Sequence, residues 1–176
     1  MNYWAPFRKT DVANGDGVRV TLFVTGCRIH CKDCFNSECW SFDSGVPFTE
    51  EVAEDVLKAC EPDWINGLTI LGGEPFEEEN QKGLLPLVQE FRKRFGDSKT
   101  LWMYTGYVWD RDLVQGGRKW VEDLTDRILA GVDVLVDGPF VAEKKDLALR
   151  FRGSSNQRIL HFVERGSQHP VIEGGD

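Results

Sequence analysis

Residues 18–34 read VRVTLFVTGCRIHCKDC and join a predicted strand to a compact cysteine motif. The run 18–25 is apolar and rich in β-branched residues, which favours a strand. Directly after it come Cys27, Cys31 and Cys34 with the spacing C-x3-C-x2-C. Cysteines this close together in a cytosolic chain are typical of a metal site or of redox chemistry.

Outward from this stretch, predicted strands alternate with predicted helices. Apolar runs at 68–71, 101–105, 132–136 and 159–163 favour four more strands. Thr49 is a predicted N-cap, with Glu50 and Glu51 in the first turn of a helix. Two further apolar stripes with helical spacing follow, from Leu84 to Phe95 and from Val121 to Leu129. This alternation predicts an α/β fold with mostly parallel strands. Because a closed eight-unit barrel needs about 250 residues, we expect an open, partial β/α barrel.

Length, composition and charge exclude several classes of protein. The chain has 176 residues, which predicts a single domain over 1–165 followed by a polar, flexible tail over 166–176. Its 21 basic and 29 acidic residues give a net charge of −8, which argues against nucleic acid as a partner. The sequence has neither an apolar run of membrane-spanning length nor a signal-peptide pattern, so we expect a cytoplasmic protein.

The loops that follow the first four predicted strands carry the candidate functional residues. The cysteine loop (residues 27–34) follows the first strand, and Gly72-Gly73-Glu74-Pro75 follows the second. Gly106-Tyr107 follows the third, and Asp137-Gly138-Pro139 follows the fourth. Ligands bind at the carboxyl ends of parallel strands, so these four segments should converge on one site.

The cysteine loop alone is compatible with three kinds of site. A zinc site would use the three cysteines with Cys39 or His30, although structural zinc usually takes its ligands from two separated pairs. A dithiol pair of Cys31 and Cys34 would leave Cys27 without a role. An iron–sulfur cluster held by three thiolates would leave one iron open to a small molecule. Cys60 is predicted to be a core residue.

The cysteine motif together with Gly72-Gly73-Glu74-Pro75 resembles the radical S-adenosylmethionine (SAM) superfamily. Within it, the chain is similar to the activating proteins of anaerobic ribonucleoside-triphosphate reductase, which are glycyl-radical activases. The resemblance extends from about Tyr3 to about Val163. It rests on these segments: DVANGDGVRV at 11–20, CFNSECW at 34–40, LTILGGEP at 68–75, YTGY at 104–107, DVLVDGPF at 133–140 and FRGSSNQR at 151–158.

The resemblance implies a partial barrel of the radical SAM type and a set of site residues. Cys27, Cys31 and Cys34 would hold a [4Fe-4S] cluster whose fourth iron binds the methionine part of SAM. Gly72, Gly73 and Glu74 would line that methionine part, and the backbone at Asp33, Cys34 and Phe35 would lie beside the adenosine. Many superfamily members have an aromatic residue just before the third cysteine, whereas here Asp33 precedes it and Phe35 follows.

The implied reaction begins with one electron from a low-potential donor such as a flavodoxin. Reductive cleavage of SAM gives methionine and a 5′-deoxyadenosyl radical, which takes a hydrogen atom from a glycine of the reductase. No acid–base residue is required, because the cofactor performs the difficult chemistry. The resemblance places Asn14, Tyr104, Asp137 and Arg158 near the site without assigning them roles.

Other functions remain open at this point. An activase of another glycyl-radical enzyme, such as pyruvate formate-lyase, or a small radical SAM synthase would share the cysteine motif and Gly72-Gly73-Glu74-Pro75. Outside the superfamily, the alternative is a structural zinc-binding module.

Overall fold

The computed structural model describes residues 1–175, and Asp176, the last residue of the predicted tail, lies outside them. The described chain forms one mixed sheet and three α-helices. The strands are β1 (Asn2–Tyr3), β2 (Arg8–Asp11), β3 (Arg19–Val24), β4 (Val46–Pro47), β5 (Gly67–Gly72), β6 (Thr100–Tyr104), β7 (Val134–Asp137), β8 (Arg158–His161) and β9 (Val171–Gly174). The helices are α1 (Glu50–Ala59), α2 (Glu78–Phe95) and α3 (Thr125–Leu129).

The centre of the sheet is parallel and both of its sides are antiparallel. The strand order is β4-β1-β3-β5-β6-β7-β8-β9, and β2 pairs with β3 next to β1. β3, β5, β6 and β7 are parallel neighbours, whereas the remaining pairings are antiparallel. The prediction of mostly parallel strands is therefore correct for the centre only. A parallel pairing needs a connection that crosses over the sheet, usually through an α-helix. In the described chain, the connections that lead to the outer pairings contain no such helix, so these strands run antiparallel.

The five predicted strands are all present, and the predicted helices are present with one shortened. Thr49 caps α1 as predicted, because its side chain accepts a hydrogen bond from Val52 N at 3.3 Å. The third helix is short and begins only at Thr125. The predicted polar tail contains β9, which pairs with β8 along its whole length. Its side chains are exposed and carry no apolar alternation, so the pairing left little trace in the sequence.

The two faces of the sheet are covered differently. Val20, Leu22, Ile70 and Met103 alternate onto the face that packs against the three helices and forms the main core. Trp102, Val134, Val136 and Ile159 point to the opposite face, where Phe151 and Tyr104 pack on them. Because no α-helix of the described chain packs on this opposite face, it is available for a ligand at the carboxyl ends of the parallel strands.

No helix within residues 1–175 combines the length and apolar character of a membrane span.

Candidate functional site

An open cavity of about 610 Å³ lies at the carboxyl ends of β3, β5, β6 and β7. Cys27, Cys31 and Cys34 line it, as do Gly72, Gly73 and Glu74 from the end of β5. Thr105 and Gly106 enter it after β6, and Gly138 enters it after β7. The predicted convergence of four strand ends on one site is confirmed.

The three motif cysteines share a feature that the other two lack. The backbone N–H groups of Ile29 and His30 act to lower the pKa of Cys27, and that of Phe140 acts to lower the pKa of Cys31. The N–H of Asn36 donates to Cys34 Sγ at 3.4 Å. Cys39 and Cys60 are fully buried, and burial raises the pKa of each to about 12. N–H donors aimed at sulfur are a feature of iron–sulfur sites, where they tune the cluster.

Burial dominates the electrostatics of Cys27. It raises the pKa of Cys27 to about 11, although the two backbone N–H groups act in the opposite direction. All five cysteines are free thiols. No three His, Cys, Asp or Glu side chains in residues 1–175 are grouped as ligands of one metal ion. A cluster does not require such a grouping, because its thiolates bind separate irons.

Gly72 and Gly73 allow β5 to end against the backbone of β3. Gly72 has φ +111°, and a Cβ there would lie 2.5 Å from Val24 O. A Cβ on Gly73 would lie 2.6 Å from Gly26 O and 2.9 Å from Cys39 O. Only glycine fits this approach, so the pair fixes the distance between the cysteine loop and the end of β5.

Glu74 links the ends of β5 and β6. Its Oε1 accepts hydrogen bonds from Phe76 N at 2.9 Å and Thr105 Oγ1 at 2.8 Å, and its Oε2 accepts one from Gly106 N at 2.8 Å. The side chain is 1% exposed, and burial raises its pKa to about 7 in spite of these donors. Glu74 therefore connects the segment after β5 to the segment after β6, and it places a carboxyl group at the cavity.

The residues predicted to lie beside the adenosine are placed differently with respect to the cavity. Phe35 lines the cavity mouth, is 57% exposed and packs against Phe140 with ring centroids 5.1 Å apart. Asp33 is exposed, has φ +57° and does not line the cavity. His30, one of the zinc candidates, stacks on Trp40 at 4.5 Å.

Four residues without assigned roles separate into two pairs. Asn14 and Tyr104 line the cavity, and the buried Tyr104 hydroxyl has no hydrogen-bond partner within residues 1–175. Thr69 Oγ1 holds the Asn14 loop over the sheet by donating to Asn14 O at 2.7 Å. Asp137 and Arg158 instead form an ion pair between β7 and β8, with Arg158 Nε donating to Asp137 Oδ1 at 2.8 Å.

Sequence reasoning missed a second carboxylate, Glu77, which lies immediately before α2. It is buried and accepts hydrogen bonds from Arg28, Tyr107 and Lys119. Burial alone would raise its pKa, but these donors outweigh that effect and hold the pKa below its usual range. Its position three residues after Glu74 is only weak evidence of a functional role, because glutamates are common at the starts of surface helices.

Comparison with known proteins agrees with this geometry. Residues 13–160 match the family described as "4Fe-4S single cluster domain". The anaerobic ribonucleoside-triphosphate reductase-activating protein of Pasteurella multocida is 39% identical over 166 residues, covering 93% of this chain and 99% of that protein. Those of Escherichia coli K12 and phage T4 are 37% and 34% identical, covering 92% and 85% of this chain and 99% and 87% of those proteins.

The match spans both the cysteine loop and all four central strands, so it includes every part of the cavity described above. The chain belongs to the family of anaerobic ribonucleoside-triphosphate reductase-activating proteins, with a 4Fe-4S single cluster domain.

Proposed function

We propose that this chain is a radical SAM activase of anaerobic ribonucleoside-triphosphate reductase. It reductively cleaves SAM and takes a hydrogen atom from a glycine of the reductase, which then carries a glycyl radical. One observation carries this proposal: the three thiols of C-x3-C-x2-C and the segment Gly72-Gly73-Glu74 line the same cavity. The partner is proposed from the names of relatives with 34–39% identity, which are activating proteins of this reductase.

Cys27, Cys31 and Cys34 are the proposed ligands of the cluster. Their shared loop, their position on the cavity and the N–H groups directed at their sulfurs support this set. When bound, the cluster supplies the electron that breaks the bond between the sulfonium and the 5′ carbon of SAM. The protein binds and orients the reactants and shields them from water.

The proposed SAM site extends from the end of β5 to the cysteine loop. Gly72 and Gly73 bring the backbone close to the ligand's methionine part, and the backbone at Asp33, Cys34 and Phe35 borders the adenosine. Glu74 contributes a carboxyl group that suits a ligand bearing an ammonium and a sulfonium. Because nearby positive charge favours the ionised carboxylate, SAM binding should lower the raised pKa of Glu74.

We infer that the sheet is a partial β/α barrel of the radical SAM type within a domain of residues 1–165. The order β3-β5-β6-β7 and the helices on one face support this interpretation. A low-potential donor such as a flavodoxin supplies the electron. The proposed location is the cytoplasm, because its reducing conditions preserve free thiols such as these five and an oxygen-sensitive cluster.

The cavity mouth is the proposed entry for the reductase's glycine loop. Phe35 and Leu147 both line the cavity, and they are 57% and 84% exposed. Exposed apolar side chains at the rim of a cavity are common at protein-binding surfaces. A peptide loop entering here would reach the end of β5 beside the cysteines.

The test is to mix the reconstituted protein with anaerobic ribonucleoside-triphosphate reductase, SAM and a reductant, and to record an electron paramagnetic resonance spectrum. We expect a stable glycyl radical on the reductase, absent without SAM and absent with the Cys31→Ala variant. A radical formed on pyruvate formate-lyase but not on the reductase would assign the activity to a different partner.

A further inference from the structure

The buried carboxylate of Glu77 accepts four hydrogen bonds. Arg28 donates twice, from its backbone N at 3.2 Å and from Nη1 at 2.8 Å. The Tyr107 hydroxyl and Lys119 Nζ each donate at 2.7 Å. The Glu77 side chain has no exposed surface. A charge this buried is stable only when it is paired and hydrogen-bonded, so the four donors and Glu77 depend on one another.

These donors come from three separate parts of the chain. Arg28 lies in the cysteine loop between Cys27 and Cys31, Tyr107 follows β6, and Lys119 lies on the segment before α3. Glu77 itself connects the end of β5 to the start of α2. One side chain therefore fixes the cysteine loop relative to the ends of two central strands.

A neighbour on α2 holds the other side of Cys27. Asn80 Nδ2 donates to Thr25 O at 3.0 Å and to Glu74 O at 2.9 Å, and it lies 3.4 Å from Gly26 O. Asn80 thus holds the backbone before Cys27, and Glu77 holds the backbone N–H after it. Cys27 is the most buried of the three motif cysteines, as expected for a residue held from both sides.

We propose that Glu77 is a positioning residue for the cluster, acting through Arg28 on Cys27 and compensating the positive charges of Arg28 and Lys119. The proposal rests on the assignment of Cys27 as a cluster ligand. Net charge and hydrogen bonding around a cluster set its reduction potential. Without the carboxylate, the two cations favour the reduced, more negative cluster and move the potential in the positive direction.

Glu79 provides a matched control. It also binds the Arg28 guanidinium, through Nη2 at 2.6 Å and Nη1 at 3.0 Å. Its side chain is half exposed, and it contacts neither the Arg28 backbone nor Tyr107. Removal of Glu79 weakens the Arg28 side-chain pairing but leaves the buried contacts intact.

The experiment compares Glu77→Gln, Glu77→Ala and Glu79→Gln with the wild-type chain after anaerobic reconstitution. The readouts are iron release to a chelator and the midpoint potential of the cluster. We expect Glu77→Ala to release iron roughly 10- to 100-fold faster, the usual range for loss of a group that orients a ligand. Glu77→Gln should hold iron nearly as well but show a more positive potential. Glu79→Gln should match the wild type in both.

A parallel measurement on the metal-free protein separates this proposal from the proposed function. Alkylation of Cys27 should be faster in Glu77→Ala than in the wild type, because the backbone after Cys27 has lost the carboxylate that holds it. Cys60 should stay protected in both, which reports that the core is folded. An unchanged alkylation rate, or a Glu77→Gln potential equal to that of the wild type, would overturn the role of Glu77. Failure of the wild type to cleave SAM would count against the proposed function alone.

Discussion

At the scale of single residues, the sulfur environments distinguish three cysteines from the other two. Backbone N–H groups act on the sulfurs of Cys27, Cys31 and Cys34, whereas Cys39 and Cys60 are fully buried without such groups among the described residues. The spacing alone left Cys39 and His30 open as zinc ligands, and the resemblance to the radical SAM superfamily selected the same three cysteines. The three cysteines lie within one short loop, so their proximity does not depend on distant contacts.

Removal of any one motif cysteine should abolish the cluster. We expect Cys27→Ala, Cys31→Ala and Cys34→Ala to bind less iron and sulfide and to lose SAM cleavage, because each removes a thiolate ligand. Cys39→Ala and Cys60→Ala should retain both and lose about 1 kcal/mol of stability from the small cavity. Iron analysis and visible absorbance measure the first effect. A Cys39→Ala chain without a cluster, beside a Cys34→Ala chain with one, would contradict the ligand set.

Gly73→Ala should damage the site through steric contact alone. The new Cβ would lie 2.6 Å from Gly26 O, next to Cys27, and backbone cannot move aside cheaply. We expect a loss of about 1 to 3 kcal/mol in the free energy of unfolding and weaker iron binding. Gly96→Ala, in open space, is the comparison: it strains the backbone at φ +52° but should leave iron binding unchanged. Urea unfolding and iron content report the two effects.

Glu74 should make the metal-free protein less stable as the pH rises. Its folded pKa of about 7 lies above its ordinary value of 4.5, so the folded protein holds this proton when the unfolded chain has released it. The free energy of unfolding should therefore fall between about pH 4.5 and 7, by on the order of 2 to 3 kcal/mol. Urea unfolding of the wild type and Glu74→Gln across this range gives the difference.

The control for that titration is Glu79→Gln. The hydrogen bond from Arg28 lowers the pKa of Glu79 to about 2, so its titration lies below this window. The difference between wild type and Glu79→Gln should be flat from pH 5 to 7. An equally flat difference for Glu74→Gln would show that Glu74 is not protonated at neutral pH in the folded protein.

The residues that sequence reasoning missed are those whose contacts span the chain. Glu77 meets Tyr107 and Lys119, which lie 30 and 42 residues further along. Neither the residue types nor their spacing indicates that these side chains converge. Asp137 and Arg158 were placed near the site, and only the pairing of β7 with β8 shows that they bind each other.

At the scale of elements, the central strands and β8 were predictable, and β1, β2, β4 and β9 were not. β3, β5, β6 and β7 are largely buried on both faces, so each appears in the sequence as a predominantly apolar run. β1 and β4 have two residues each, and β2 and β9 are largely exposed. Short or exposed strands leave no such run, and for that reason these four antiparallel strands were not predicted.

The Asp137–Arg158 pair should stabilise the junction of β7 and β8. Asp137 is buried, and it also accepts a hydrogen bond from Trp109 N at 2.7 Å. Asp137→Ala leaves Arg158 and Trp109 without this partner, so we expect a loss of about 3 to 5 kcal/mol in the free energy of unfolding. Glu143→Gln breaks an exposed, solvent-screened pair with Lys32 and should cost far less. Equal losses in chemical denaturation would contradict this difference.

At the scale of the whole molecule, the helices and the cavity occupy opposite sides of the sheet. The helix-covered face holds the main core, and the other face opens at the ends of the parallel strands. This division leaves the cysteine loop accessible to a peptide from another protein. The activity proposed here requires that access, because the hydrogen atom comes from a glycine within a second chain.

The transfer of that hydrogen atom is the most direct test of the account. Reductase containing α-deuterated glycine is incubated anaerobically with the reconstituted protein, SAM and a reductant, and the released 5′-deoxyadenosine is analysed by mass spectrometry. We expect one deuterium in the 5′-deoxyadenosine, and none when the Cys31→Ala variant or unlabelled reductase is used. 5′-Deoxyadenosine formed in full but without deuterium, or a protein that holds one zinc and leaves SAM intact, would contradict the account.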